Sequence, residues 1–219
     1  MTAGRLAVVG GHSILGSGYA GHDGCVVLQR HGDAQTPAHL VDHEANMRSL
    51  VEQGCDRVLA ISSVGGLRDD VGVGTFLAPD DFVSLHTWIS IYDDFRGHSV
   101  VALDREWRRQ VVDAWHARAH DVAPLRVGGV YWQNFGPRFE TPAEIRFIAR
   151  FADVVGMTMA SECVVATELG LRYASICVVD NLANGVSEQP LTVEEFEAGK
   201  RANRGALLGA LAAVVPHLA

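Results

Sequence analysis

The sequence predicts an α/β fold with a mostly parallel sheet, on three observations. Short, near-continuous apolar runs rich in β-branched residues recur along its 219 residues, as strands covered on both faces require. Amphipathic helical stretches fall between them, so strand and helix alternate. Polar and glycine-rich clusters stand directly after the runs, where open α/β sheets gather their ligands.

In chain order, the expected strands are residues 6–9, ending in Gly10-Gly11, and residues 25–28, ending in Gln29-Arg30-His31. Residues 57–61 run into Ser62-Ser63-Val64-Gly65-Gly66, and residues 127–132, 153–156 and 173–179 read as three more strands. A helix is expected over 41–53, with Val41, Ala45, Met47, Leu50 and Val51 mostly on one face and Gly54 at its C′ position. Residues 104–118 form a charged amphipathic helix carrying Trp107, Val111 and Trp115. Thr141-Pro142-Ala143-Glu144 and Thr192-Val193-Glu194-Glu195 each place Glu three residues after Thr. That spacing is the capping-box pattern, and the second example opens a last helix toward Val215. No repeat, linker or low-complexity stretch divides the chain, so one domain over 1–219 is expected.

Composition narrows the function. Hydrophobic residues make up 48% and charged residues 20%, which suits a globular core. Lys and Arg total 18 against 26 Asp and Glu, a formal charge of −8. So acidic a chain is a poor partner for nucleic acid, whose binding needs a basic surface. No apolar run approaches the ~20 residues of a membrane span. The start, MTAGRLAVVGGHS, has no hydrophobic h-region, so a cytoplasmic protein is expected. Cys25, Cys55, Cys163 and Cys177 lie far apart without a CxxC pair and read as small core hydrophobes.

Three motifs fail on chemistry. Gly16-Ser17-Gly18-Tyr19-Ala20-Gly21 is a literal GxGxxG, yet a strand rather than a helix follows, so no helix N-terminus is offered to a pyrophosphate. Gly11 and Gly16 have Walker spacing, but Ser17 stands where the lysine belongs. His39 and His43 are four apart, but no third ligand is apparent, so no metal is expected and both read as solvated or capping histidines.

The stretch from 136 to 185 carries the chemistry: GPRFETPAEIRFIARFADVVGMTMASECVVATELGLRYASICVVDNLANG. A Gly-Pro turn presents Phe139 and Glu140 ahead of a helix. A flat ring beside a carboxylate can stack on a planar heterocycle and accept from its N–H edge. The strand end at 153–156 delivers Met157 and Thr158, and the strand from 173 ends in Asp180-Asn181, an amide able to donate and accept at once. Taken singly, each has a plainer role: Met157 and Phe139 as core, Glu140 at a helix N-terminus, Ser62-Ser63 in a turn. Their joint order argues for a site.

These motifs resemble the trimeric purine nucleoside phosphorylase and 5′-methylthioadenosine phosphorylase family. GPRFETPAE and ADVVGMTMASE carry the resemblance, supported by VVGGHS, LQRHG, LVDHEANMRSL and RVLAISSVGGL, so that it spans most of the chain. The resemblance implies one domain with a mixed, mostly parallel central sheet flanked by helices. It implies phosphorolysis of a purine nucleoside to free base and ribose 1-phosphate, with inorganic phosphate as co-substrate and no other cofactor. By residue, Arg30, His31, Ser62, Ser63 and Thr158 match phosphate ligands, Met157 the residue under the ribose, and Phe139 the base-stacking ring. Glu140 and Asn181 match the base-reading, catalytic side chains, with Asn181 donating toward N7 of the leaving purine. A homotrimer is also implied, and Trp88, Tyr92 and Phe95 supply an aromatic patch suited to its interface.

Three departures from the family pattern bear on specificity. The first loop has His12 and then Ser13 where a hydroxyl residue usually follows Gly-Gly; Ser13 is the preferred phosphate donor, since a hydroxyl donates at any pH. The span 93–104 is shorter than usual, which bears on the 5′ group. An ionised Glu140 can only accept, so with Asn181 it favours a 6-oxopurine; Asp180 offers a route to a 6-aminopurine instead. A hydrolytic nucleosidase and a non-catalytic purine binder are the competing readings.

Overall fold

In a computed structural model, residues 4–14, 17–86 and 88–219 are described. Among the described residues nine strands form one sheet. They are β1 (Arg5–Gly10), β2 (Val26–Gln29), β3 (Cys55–Gly66), β4 (Phe76–Ala78), β5 (Asp81–Val83), β6 (Leu125–Val127), β7 (Val130–Gln133), β8 (Val154–Gly156) and β9 (Arg172–Leu182). The α-helices are α1 (His43–Glu52), α2 (Arg105–Ala119), α3 (Pro142–Ile148), α4 (Met159–Glu168) and α5 (Val193–Val214).

The order across the sheet is β5-β7-β8-β3-β9-β4-β6, with β1 between β2 and the first half of β3. Only β3/β8 and β4/β9 run antiparallel among the described pairs, so the sheet is mixed and mostly parallel as expected. Alternation along the long central strands sends side chains to two cores. Leu6, Val8, Leu59, Ile61, Ala174, Ile176 and Val178 meet α2 and α5, where Trp107 and Trp115 fill the space. Ala7, Val9, Val58, Ala60, Tyr173, Cys177 and Val179 face the opposite core with Met47, Leu50 and Cys163 from α1 and α4. Each buried indole donates to a carbonyl, Trp107 to Val58 and Trp115 to Ala123, both at 2.7 Å.

Both expected capping boxes form, at Thr141 with Glu144 and at Thr192 with Glu195. Asp42 and Asp104 turn out to cap α1 and α2 rather than to lie within them. The expected strand over 127–132 is two strands with different partners. Gly128 and Gly129 take positive φ angles of 92° and 131°, and the chain turns there from β6, beside β4, to β7, beside β5 and β8. The pattern does not announce β4 and β5, each three residues long, or α4, whose apolar character runs nearly all round it.

All four cysteines are free thiols, and all but Cys25 are buried. His43 corrects the reading of it as solvated: it is buried, with its Nδ1 unpartnered. Gly16 of the GxGxxG run lies outside the described residues. No helix among the described residues is long and apolar enough to cross a membrane.

Candidate active site

Strand ends build the site. The loops after β1, β2, β7 and β8, the second half of β3 and the end of β9 converge on one cavity of about 350 Å3. That volume lies in the range of small-molecule sites. His12, Arg30, His31, Ser63 and Thr158 line one part of it; Phe139, Glu140, Met157 and Asn181 line the rest.

Arg30 is buried and held from behind. Its Nε and Nη2 donate to the two carboxylate oxygens of Glu162 at 2.7 and 2.8 Å, and Nη1 donates to the Ile61 carbonyl at 3.1 Å. Glu162, fully buried on α4, also accepts from the Tyr173 hydroxyl at 2.7 Å. Burial alone would push Glu162 up, but the Arg30 charge and hydrogen bonds hold it below the usual carboxylate range. Arg30 loses stability as a cation by burial and regains more from Glu162, so it stays charged. With three donors committed, two N–H groups of the guanidinium remain for an anion.

The two histidine rings sit 4.0 Å apart. His12 is pushed down to about 4, first by burial and then by the neighbouring His31. His31 is also lowered by burial, and its Nδ1–H donates to the Thr36 carbonyl at 2.7 Å. A neutral His31 therefore presents Nε2 as a lone pair. The first amides of α4 are not open to an anion. Those of Thr158 and Met159 donate to the Tyr131 hydroxyl at 3.2 and 3.3 Å, and those of Ala160 and Ser161 donate to Gln133 Oε1 at 2.7 and 3.1 Å.

Two sequence-derived phosphate ligands do not line the cavity. Ser62 is buried with its hydroxyl 3.3 Å from that of Ser175. Ser13, preferred over His12 in the sequence, lies behind the site and donates to Asp180 Oδ2 at 3.0 Å, while His12 lines the cavity. Asp180 is itself corrected. Val64 pairs with Val179 and Gly65 with Asn181, so Asp180 is the extra residue of a β-bulge. It is buried, accepts from Ser13, Ser63 and Asn203, and does not line the cavity. The bulge re-aims the strand, putting Asn181 in the cavity wall and withholding Asp180 from it.

At the other end, Glu140 has a fixed acceptor geometry. The Trp132 indole, which can only donate, bonds Asn134 Oδ1 at 3.0 Å. That orients the Asn134 amide so that its Nδ2 donates to Glu140 Oε1 at 2.8 Å, leaving Oε2 for the cavity. The Asn181 Nδ2 gives one hydrogen to the Leu182 carbonyl at 2.8 Å. Phe139, 36% exposed, meets Phe196 edge to face at a centroid distance of 6.0 Å.

Sequence reading missed Glu162, Phe196 and Leu191. Glu162 had a signal, a lone acid inside the apolar helix segment MASECVV, which demands a buried cation. Phe196 and Leu191 line the cavity from the start of α5 and the loop before it, with no local motif to mark them.

The sequence profile of the phosphorylase superfamily matches residues 10–216. A probable 6-oxopurine nucleoside phosphorylase of Archaeoglobus fulgidus is 38% identical over 171 residues, 78% of this chain and 70% of that protein. A probable S-methyl-5′-thioinosine phosphorylase of Pseudomonas syringae pv. tomato is 34% identical over 210 residues, 90% of this chain and 82% of that one. Another so named, from Methanothermobacter thermautotrophicus, is 38% identical over 162 residues, but these span 56% of its length. In fold, the chain is similar to methylthioadenosine phosphorylase from Schistosoma mansoni, solved with adenine. The TM-score is 0.78 at 24% identity, over 95% of this chain and 91% of that one. By sequence profile and by relatives, this chain belongs to the phosphorylase superfamily, in keeping with the motifs along it.

Proposed function

We propose that the protein catalyses phosphorolysis of 6-oxopurine nucleosides, giving free purine and a ribose 1-phosphate. The observation that carries the base preference is Glu140, locked by Trp132 and Asn134 into an acceptor facing the cavity near Asn181. An acceptor suits the N1–H of hypoxanthine or guanine and faces the bare lone pair of adenine. The names of the sequence relatives, 6-oxopurine nucleoside and S-methyl-5′-thioinosine phosphorylases, agree with that choice.

In this reading the ring of Phe139 stacks on the purine, and Met157 lies under the ribose. As the glycosidic bond breaks, positive charge grows on the ribose and negative charge on the base. Phosphate held by Arg30, with His12, His31, Ser63 and Thr158 around it, stabilises the first and attacks the anomeric carbon. The Asn181 amide, with one hydrogen still uncommitted, donates to N7 and stabilises the second. No resident cofactor is invoked.

The proposal extends to a cytoplasmic homotrimer. Trp88 at 96% and Phe95 at 83% exposure are large rings that a lone subunit seldom leaves in water, while Tyr92 is tied down under Arg96. A panel of inosine, guanosine, adenosine and their 5′-methylthio forms, each with and without phosphate, tests the function. Base release that requires phosphate is expected; release in water alone indicates a nucleosidase, and no release a binding protein. Light scattering at micromolar concentration should give three subunits, and a monomer would refute the assembly.

A further inference from the structure

We infer that Asp180 decides which tetrahedral oxyanion the site accepts: it accepts the hydrogen bond that Ser63 donates, so that Ser63 meets the anion as an acceptor and favours phosphate over sulfate. The inference deepens the proposed function and rests on it in taking phosphate as the natural anion.

The bulge at Asp180 places its carboxylate behind the cavity wall, where three donors converge. The Asn203 Nδ2 donates to Oδ1 at 2.8 Å; Ser13 at 3.0 Å and Ser63 donate to Oδ2. Asn203 belongs to α5, and that helix is pressed on the bulge by Gly199, where a Cβ would lie 1.7 Å from the Asp180 carbonyl oxygen. The bulged backbone therefore cannot shift without moving the helix, and Asn203 from the same helix holds the carboxylate.

A hydroxyl has one hydrogen. Ser63, which also lines the cavity, spends its hydrogen on Asp180 and keeps only lone pairs for a ligand. Neutral His31 likewise offers Nε2, because its Nδ1–H is committed to Thr36. The amides at the start of α4 are taken by Tyr131 and Gln133. Arg30 supplies charge and N–H donors, and His12 and Thr158 also line the cavity; at Ser63 and His31 the anion meets acceptors. A fully deprotonated anion finds lone pairs facing lone pairs there, whereas an anion that keeps a proton can donate it. Phosphate at neutral pH always carries at least one O–H, and sulfate carries none.

Asp180→Asn tests this by reversing the hydrogen bonds. Asn203 donates to Oδ1, so the new amide nitrogen takes the place of Oδ2 and donates to Ser13 and Ser63, turning the Ser63 hydrogen toward the cavity. Phosphate and sulfate are titrated separately into each protein by calorimetry at pH 7.5, and sulfate inhibition of inosine phosphorolysis is measured beside them. Wild type is expected to prefer phosphate by about 100-fold or more, as sites that read polar groups do. The preference should fall below about 10-fold in Asp180→Asn. Ser63→Ala removes the acceptor while leaving Asp180 in place, and should lose preference in the same direction should Asp180→Asn not fold. Binding of the two anions within about threefold in wild type would overturn the inference, as would an unchanged ratio in both variants. Phosphate selectivity without any phosphorolysis would refute the proposed function and uphold this one; binding of neither anion would refute both.

Discussion

At the anion end of the cavity Arg30, His31 and Ser63 are each bonded to another part of the protein, to Glu162, Thr36 and Asp180. The base end rests on the half-buried Met157, on Phe139 against Phe196, and on Glu140 and Asn181, which keep bonding capacity for a ligand. The difference follows from what each end must do. A small, charged ligand repays a site whose donors and acceptors are fixed in advance, since reorganising them in a dry cavity costs heavily. A planar base is read by two polar groups and gripped by rings, which tolerate movement. The chain builds the first end into its core; the second takes Phe139, Glu140 and Met157 from loops and Asn181 from the end of β9.

The most severe way to break that contrast is to remove the support of Arg30. Glu162→Ala leaves a buried guanidinium without its counter-charge, and should cost about 3–5 kcal/mol of stability. Urea unfolding measures it. A loss below about 1 kcal/mol would mean that the anion end is not built into the core.

Acid should find the same end. His12 and His43 take a proton only at about 4 in the folded chain, both chiefly because of burial. In the unfolded chain they take it near the ordinary 6.5, so the unfolded state binds more protons between those values. Stability should be fully present above pH 6.5, fall as pH drops toward 4, and stop falling on their account below it. Each such group contributes a slope of at most about 1.4 kcal/mol per pH unit. Equal stability at pH 7 and pH 5 would contradict the burial of these two rings.

The base end should respond in binding and not in folding. Phe196→Ala removes one ring of the Phe139 pair, worth about 0.5–1.5 kcal/mol. KM for inosine should rise by up to about 10-fold and KM for phosphate by less, since Phe196 also meets the His12 ring edge to face at 6.3 Å, with the unfolding midpoint nearly unchanged. An equal rise for phosphate would mean that the two ends are not separable.

How far the sequence foretells this depends on how far apart the partners lie. Helix starts at Thr141 and Thr192 are local, three residues wide, and both were legible. The central strands were legible because burial on both faces leaves an unbroken apolar run, though β3 and β9 extend well past the runs into the site. The residues lining the cavity were named through the resemblance of whole motifs, not by periodicity. What stayed hidden depends on pairings across the chain. Arg30 meets Glu162 across 132 positions, and Ser13 meets Asp180 across 167. A one-residue bulge decides that Asn181 and not Asp180 enters the cavity, and nothing in VVDNLA marks it.

The central claim is that Glu140 and Asn181 select a 6-oxopurine, and a direct comparison of paired substrates tests it. Phosphorolysis of inosine and adenosine, and of their 5′-methylthio forms, is measured in wild type and in Asn181→Asp. Wild type should prefer the hypoxanthine member of each pair by a large factor, up to about 10⁴-fold, because the adenine member leaves buried polar groups unmatched. Asn181→Asp, which loses the donor and gains an acceptor for an exocyclic amine, should narrow that preference. A wild type that prefers the adenine member of either pair would contradict the account.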